Sequence, residues 1–124
     1  MKLSKISLSV AVALVAAVIS VSAAFANETK INGKGTLVDV MCSADVKTQA
    51  DADNHTRDCA LMDACVKSGY GIVIDGKFHK FDAEGSKQAE AIFRSTTKKD
   101  HITATVEGAI QDDGSIHVMH LTAD

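Results

Sequence analysis

The first 26 residues constrain the rest of the chain more than any other feature. Lys2 and Lys5 precede an apolar run from Leu8 to Ser20 (LSVAVALVAAVIS), and Ala24-Phe25-Ala26 forms an A-x-A cleavage pattern. That layout is a secretory signal peptide rather than a membrane anchor. The apolar run is short for a span, and no stop-transfer pattern follows it. Cleavage after Ala26 would make Asn27 the first mature residue and leave 98 of the 124 residues to fold. A chain of that size builds one domain, residues 27–124, around one modest core. The expected location is periplasmic or secreted, an oxidising setting in which cysteines can pair. No cysteine follows the cleavage site, so no lipid or membrane anchor is expected once the signal is removed.

Charge and composition narrow the function classes. The signal carries two lysines and no acid, so its removal takes the formal charge from −3 to −5. A mildly acidic chain without a basic stripe is not expected to bind nucleic acid. No serine-elbow motif, P-loop or glycine-rich dinucleotide fingerprint occurs, so the expectation is a protein that is not an enzyme. Cys42 and His55 could mimic a thiol–histidine pair, but the sequence places no third, orienting group.

The mature chain reads as β-α-β-β-α-β-β. Residues 30–41 (KINGKGTLVDVM) form a first strand ending near Cys42, and the polar stretch 43–54 is a loop. Residues 55–68 form a helix closed by Gly69 at a left-handed C′ position, with Asp58 in its first turn. Residues 70–81 (YGIVIDGKFHKF) form a hairpin turning at Asp75-Gly76, where both turn positions need positive φ. Residues 83–96 form a second helix with Ala89, Ile92 and Phe93 on one face. In 101–110, Ile102, Ala104 and Val106 alternate with Thr103, Thr105 and Glu107, and Gly108 marks a bulge or bend. Asp113-Gly114 turns the chain into a last strand, 115–122. The expected fold class is therefore mainly β with two helices. It is a five-stranded OB-like Greek-key barrel with a cysteine-bearing helix inserted between strands 1 and 2. Fold alone does not fix function.

All three cysteines lie in residues 39–69, with His55 and two methionines. On a helical wheel, Cys59, Val66, His55, Met62, Cys65 and Leu61 fall in one arc of about 160°. Asp63, Lys67, Ala60, Ala64 and Arg57 take the other side. Six residues of helix separate Cys59 from Cys65, a rise of about 9 Å, whereas a disulfide needs Cα atoms within about 7 Å. A disulfide would therefore join Cys42 to Cys59 or to Cys65. It would close a loop of about 17 to 23 residues, worth about 3 kcal/mol, and leave one thiol over.

The same residues offer a metal set. His55 and Cys59 are i, i+4 neighbours, Met62 lies beside them and Cys42 arrives from the strand end. Cys42, His55, Cys59 and Cys65 make a Cys₃His composition known for zinc. The candidate cofactors are Zn, Cu(I), which thiolates and thioethers suit, and haem iron. There is no C-x₂-C or H-x₃-H pair, and no C-x-x-C-H for covalent haem. Without C-x-x-C, a thiol-redox protein is the third reading. His117, Met119 and His120 (in HVMH) cannot converge on a strand without a bulge and read as surface residues.

Asp39-x-x-Cys42, His55-x-x-x-Cys59 and Cys65-x-x-x-Gly69 precede a hairpin, a helix and an ending with Val106, Gly108, Gly114, Ile116 and Val118. This pattern resembles a group of small exported bacterial domains of unassigned function that carry it ahead of an OB-like barrel. The resemblance spans roughly residues 33–122 and implies fold and location rather than chemistry. The chain departs from the pattern in the five residues, 60–64, between its last two cysteines, where members usually have fewer. The leading expectation is a small exported OB-like binding or accessory domain holding a metal or haem through its Cys/His region. The alternative is a disulfide-stapled structural or protein-interaction domain without ligand, its partner lying in the cell envelope.

Overall fold

A computed structural model describes residues 28–124. The expected signal peptide and the Asn27 start lie outside the described residues. Five antiparallel strands make one sheet in the order β3-β2-β1-β4-β5. They are β1 (Thr29–Asp39), β2 (Tyr70–Ile74), β3 (Lys77–Lys80), β4 (Thr103–Ile110) and β5 (Ile116–Ala123). The molecule is mainly β, and the sheet is open. Its edge strands β3 and β5 do not pair along their length, and one parallel bridge joins Phe81 to Ile116. No helix among the described residues is long and apolar enough to cross a membrane.

The central strand β1 changes partner along its length. Thr29 to Thr36 pair with Ile110 to Thr103 of β4, and Thr36 to Asp39 pair with Val73 to Tyr70 of β2. Its C-terminal half is buried from Gly35 to Asp39, so whatever follows Asp39 starts inside the protein. Asp75 and Gly76 both have positive φ (50° and 75°), as the two-residue hairpin requires. The register slips between Glu107 and Gly108, so Met119 of β5 has no partner of its own. This bulge turns both Met119 and His120 outward, and with His117 all three are exposed.

The helices differ from expectation. Helix α5 (Ala83–Ser95) forms as its pattern indicates, with Asp82 capping it by accepting from Gly85 N–H at 2.9 Å. Ala89 and Phe93 are buried in the core and Ile92 packs against it. Two helices were expected in all, but four short segments fill the β1–β2 connection. They are α1 (Val40–Ser43), α2 (Gln49–Asp53), α3 (Arg57–Ala60) and α4 (Asp63–Ser68). The expected loop 43–54 thus contains one helical turn and adjoins another. The expected helix 55–68 is broken at Met62, whose ψ of 144° is extended. Local caps explain the division. Asp39, Thr48 and Thr56 each accept a backbone N–H three residues on, starting a new helix each time.

The break also overturns the helical wheel. Ala60, expected on the polar side, is fully buried, whereas Met62, expected inward, is 59% exposed. The main core lies between sheet and α5: Leu37, Tyr70, Ile72, Phe81, Phe93, Val106 and Ile116 among others. Tyr70 and Phe93 meet with ring centroids 5.2 Å apart. On the other face of β1 and β2, α2 buries Ala52 against Val38 and Val73, with Cys42, Val46 and Phe78 at the margin.

Candidate metal centre

Asp39 starts the site. It ends β1 fully buried, caps α1, and its Oδ2 accepts from Cys42 N–H at 3.0 Å. That bond folds the chain back so that Cys42 returns beside the strand it has just left. Helix α2 is then tied to the sheet by polar contacts. Thr36 Oγ1 donates to Asp53 Oδ1 (2.6 Å), Gln49 Nε2 donates to the same oxygen (3.1 Å), and Gln49 Oε1 accepts from Gly76 N–H (3.0 Å). With α2 fixed, His55 N–H reaches Ala52 O, and the imidazole comes over Asp39.

Helix α3 is anchored from the far side. Arg57 donates to the carbonyls of Phe93 and Arg94 at the end of α5, and its N–H bonds Lys99 O. Tyr70 Oη donates to Ala60 O at 2.6 Å in the buried interior, and burial pushes the phenol up to about 12. Met62 then redirects the chain, and α4 carries Cys65 into the core at 3% exposure. Gly69 closes α4 at φ 83°, a conformation that disfavours any side chain.

The result is a cluster of ligand-type atoms. The sulfurs of Cys42, Cys59 and Cys65 lie within 4.8 Å of one another. Cys42 Sγ and Cys59 Sγ are 3.8 Å apart, and all three thiols are free. A second triple, Asp39, Cys42 and His55, shares Cys42, and its ligand atoms also lie within 4.8 Å of one another. Asp39 Oδ1 and His55 Nε2 stand 2.8 Å apart with side chains 0% and 8% exposed. The two atoms form a buried ion pair, and neither has a hydrogen-bond partner beyond the other.

The electrostatics favour the neutral thiol at Cys42 and Cys65. Burial, then the Asp39 charge and the neighbouring thiols, push the Cys42 thiol far above the ordinary cysteine range. Burial and Asp39 raise Cys65 in the same way. Burial alone would raise Asp39, but the His55 contact, the Cys42 N–H and the imidazole charge outweigh it and hold the carboxyl below the usual range.

Three of the four expected metal residues, Cys42, Cys59 and Cys65, come together. His55 joins Cys42, but it does not share one tight group with all three sulfurs. Met62 is turned to solvent. The estimate that Cys59 and Cys65 stand about 9 Å apart along an unbroken helix fails because the helix bends at Met62. Of the two disulfide pairings, Cys42 with Cys59 brings its sulfurs to 3.8 Å, and Cys42 with Cys65 lies within 4.8 Å. Asp39 is the site residue that sequence reasoning passed over. Its signal was the Asp-x-x-Cys spacing, which is also the spacing of an N-cap to its acceptor N–H. It is the third group that a thiol–histidine pair would need, yet its charge raises the thiol instead of activating it. Comparison with protein-family models, curated proteins and solved structures finds no match to this chain.

Proposed function

We propose that this is a small exported binding domain that holds one soft transition-metal ion, Zn²⁺ or Cu(I), through Cys42, Cys59 and Cys65, with His55 and Asp39 alongside. The observation that carries the reading is the Cys42–Cys59 sulfur separation of 3.8 Å. A tetrahedral ion with metal–sulfur bonds of about 2.3 Å sets its sulfurs about 3.8 Å apart. The buried Asp39 Oδ1 and His55 Nε2 have only each other as partners and stand beside Cys42, where an ion or its ligand shell would meet them. Three sulfurs within 4.8 Å of one another suit convergence on one ion, whereas haem iron takes at most two axial ligands from the protein, which favours a simple ion over haem. The raised Cys42 and Cys65 thiols disfavour nucleophilic catalysis in the ion-free protein, and an ion bound there would displace their protons.

The fold we propose for this domain is an OB-like barrel. Its support is the partner switch of β1 at Thr36, the helix between the third and fourth strands, and the Phe81–Ile116 bridge. Asp82 N–H also bonds Ile116 O at 2.9 Å, where the two edges meet. On that reading the metal residues occupy the β1–β2 connection.

A second reading rests on the same 3.8 Å contact: a Cys42–Cys59 disulfide that staples the connection, with Cys65 free and no ligand. Intact mass of the exported protein, native and denatured, with thiol counting, separates the two. Three reducible thiols and a retained metal mass are expected. A loss of two hydrogens with one free thiol and no added native mass would overturn the metal site.

A further inference from the structure

The large apolar side chains that stand exposed among the described residues are Met41 (54%), Met62 (59%) and Met119 (61%). Leucine, isoleucine, valine and phenylalanine build the core, where methionine is also usually found. Two of these methionines lie close in the chain to the cluster's cysteines. Met41 immediately precedes Cys42 on α1. Met62 is the break residue between α3, which carries Cys59, and α4, which carries Cys65. Helices α1 and α4 pack on each other, and Met41 N–H bonds Ser68 Oγ of α4 at 3.2 Å. Within the cluster, Cys65 is buried while Cys42 and Cys59 are half-buried. Cys42 and Cys59 are therefore the more accessible thiols of the cluster, and an exposed thioether stands next to Cys42 and three residues after Cys59 in the chain.

Coordination number points the same way. The three sulfurs form one tight group that His55 does not complete. Zinc in a structural site takes four ligands, whereas Cu(I) is satisfied by three soft ones. Thioethers bind Cu(I) and leave Zn²⁺ largely alone. They also carry no acidic proton, so they can take up the ion without competing with protons.

Resting on the metal reading above, we propose that the ion is Cu(I) and that Met41 and Met62 are its entry ligands, receiving it at the surface and passing it to Cys42, Cys59 and Cys65. The transfer exchanges thioether for thiolate ligands, releases thiol protons to solvent and leaves the copper oxidation state unchanged. Met119, on the edge strand β5, lies outside this route and serves as the internal control.

The test uses reduced, metal-free protein under anaerobic conditions, with Cu(I) supplied from a coloured chelator. Stopped-flow absorbance gives the transfer rate, and competition at equilibrium gives the affinity. We expect one Cu(I) per chain. In the M41L/M62L double variant the affinity should stay within about threefold of the parent while the transfer rate falls tenfold or more, and M119L should match the parent in both. Leucine keeps the volume of methionine, and a circular dichroism spectrum like the parent's establishes folding. An unchanged transfer rate in the folded double variant would overturn the entry role while leaving the thiol site intact. Tight stoichiometric Zn²⁺ with no competitive Cu(I) binding would overturn the copper assignment alone. Reduced protein that takes neither ion would overturn both this inference and the metal reading beneath it.

Discussion

Two connections in this molecule do comparable topological work by different physics. The link from β3 to β4 is a single helix, α5, held by an apolar stripe in which Ala89 and Phe93 are fully buried. The link from β1 to β2 is four short helical segments held mainly by polar contacts: the Asp39, Thr48 and Thr56 caps, the Thr36–Gln49–Asp53 cluster, and Arg57 on the end of α5. Few of its own side chains are fully buried, Ala52, Ala60 and Cys65 being those in the helical segments. A 13-residue amphipathic helix gains its stability from burial of one face. Segments of four to six residues cannot, and they persist because specific groups are satisfied one by one. The lesson is that the β1–β2 connection depends on groups satisfied one at a time, whereas the β3–β4 connection depends on one continuous apolar face; on the proposed metal reading, a bound ion would add to the first and leave the second unchanged.

The largest effects should separate the two connections outright. Phe93→Ala should cost about 3–5 kcal/mol, read by urea unfolding, and by the same amount with and without metal. Cys42→Ser should leave the metal-free protein nearly as stable as the parent. It should abolish the metal-dependent increment, which reaches about 4 kcal/mol when free ion exceeds Kd a thousandfold. Equal stabilisation of parent and Cys42→Ser by the ion would place the binding site elsewhere.

Next in size is Asp39→Asn. It removes the charge facing His55 and should cost about 1–3 kcal/mol. Asp39 also helps to raise Cys42 and Cys65, so iodoacetamide should modify the metal-free variant faster at fixed pH, with its pH–rate profile moved to lower pH. A profile that stays in place would mean that burial alone sets the thiols.

Gly85→Ala probes the packing of α5. A Cβ there would overlap Val118 of β5 and crowd Phe81, so despite alanine's better helix propensity the change should destabilise by about 1–3 kcal/mol. It should do so without altering metal affinity. A stabilised variant would mean that α5 can lift from β5 at little cost.

The smallest effect is electrostatic. Burial would raise Asp82, but the Gly85 N–H, the His117 ring at 2.7 Å and the Val118 N–H hold it below the usual range. A carboxyl whose folded pKa is depressed contributes stability above its unfolded pKa, and loses it as pH falls through the folded value. Unfolding at pH 6 and at pH 2 should therefore show a smaller acid loss in Asp82→Asn than in the parent, by about 1 kcal/mol or less for a partly exposed ion pair. Asparagine keeps the cap. Equal acid loss in the two proteins would remove Asp82 from the pH response.

Most of the sheet was legible in the chain. Asp75-Gly76 set the hairpin, the alternation of Ile102, Ala104 and Val106 set the buried face of β4, and Gly108 marked the register slip that the structure contains. These signals act over two to four residues, and each has a local steric or burial cause. The β1–β2 connection was less legible. A wheel over 55–68 assumes an unbroken helix, and nothing at Leu61-Met62 announces a break: neither glycine nor proline is present. Met62 turns extended because Arg57 and Tyr70 hold α3 in one place while Cys65 packs into the core in another. That conflict is tertiary, so no window of sequence could display it.

What the sequence determined by itself was the inventory and the strand plan: three thiols and a histidine gathered in thirty residues, turns at Asp75-Gly76 and Asp113-Gly114, and one amphipathic helix. These follow from short-range sterics and periodic burial. Which thiols meet, and what they meet, was decided only in three dimensions. Buried β1 delivers Asp39 to the interior, the break at Met62 brings Cys59 and Cys65 to one point, and α2 swings His55 over the carboxylate. The Asp39–His55 and Cys42–Cys59 contacts depend on where whole segments are anchored, and that is fixed by the sheet and α5 packing around them.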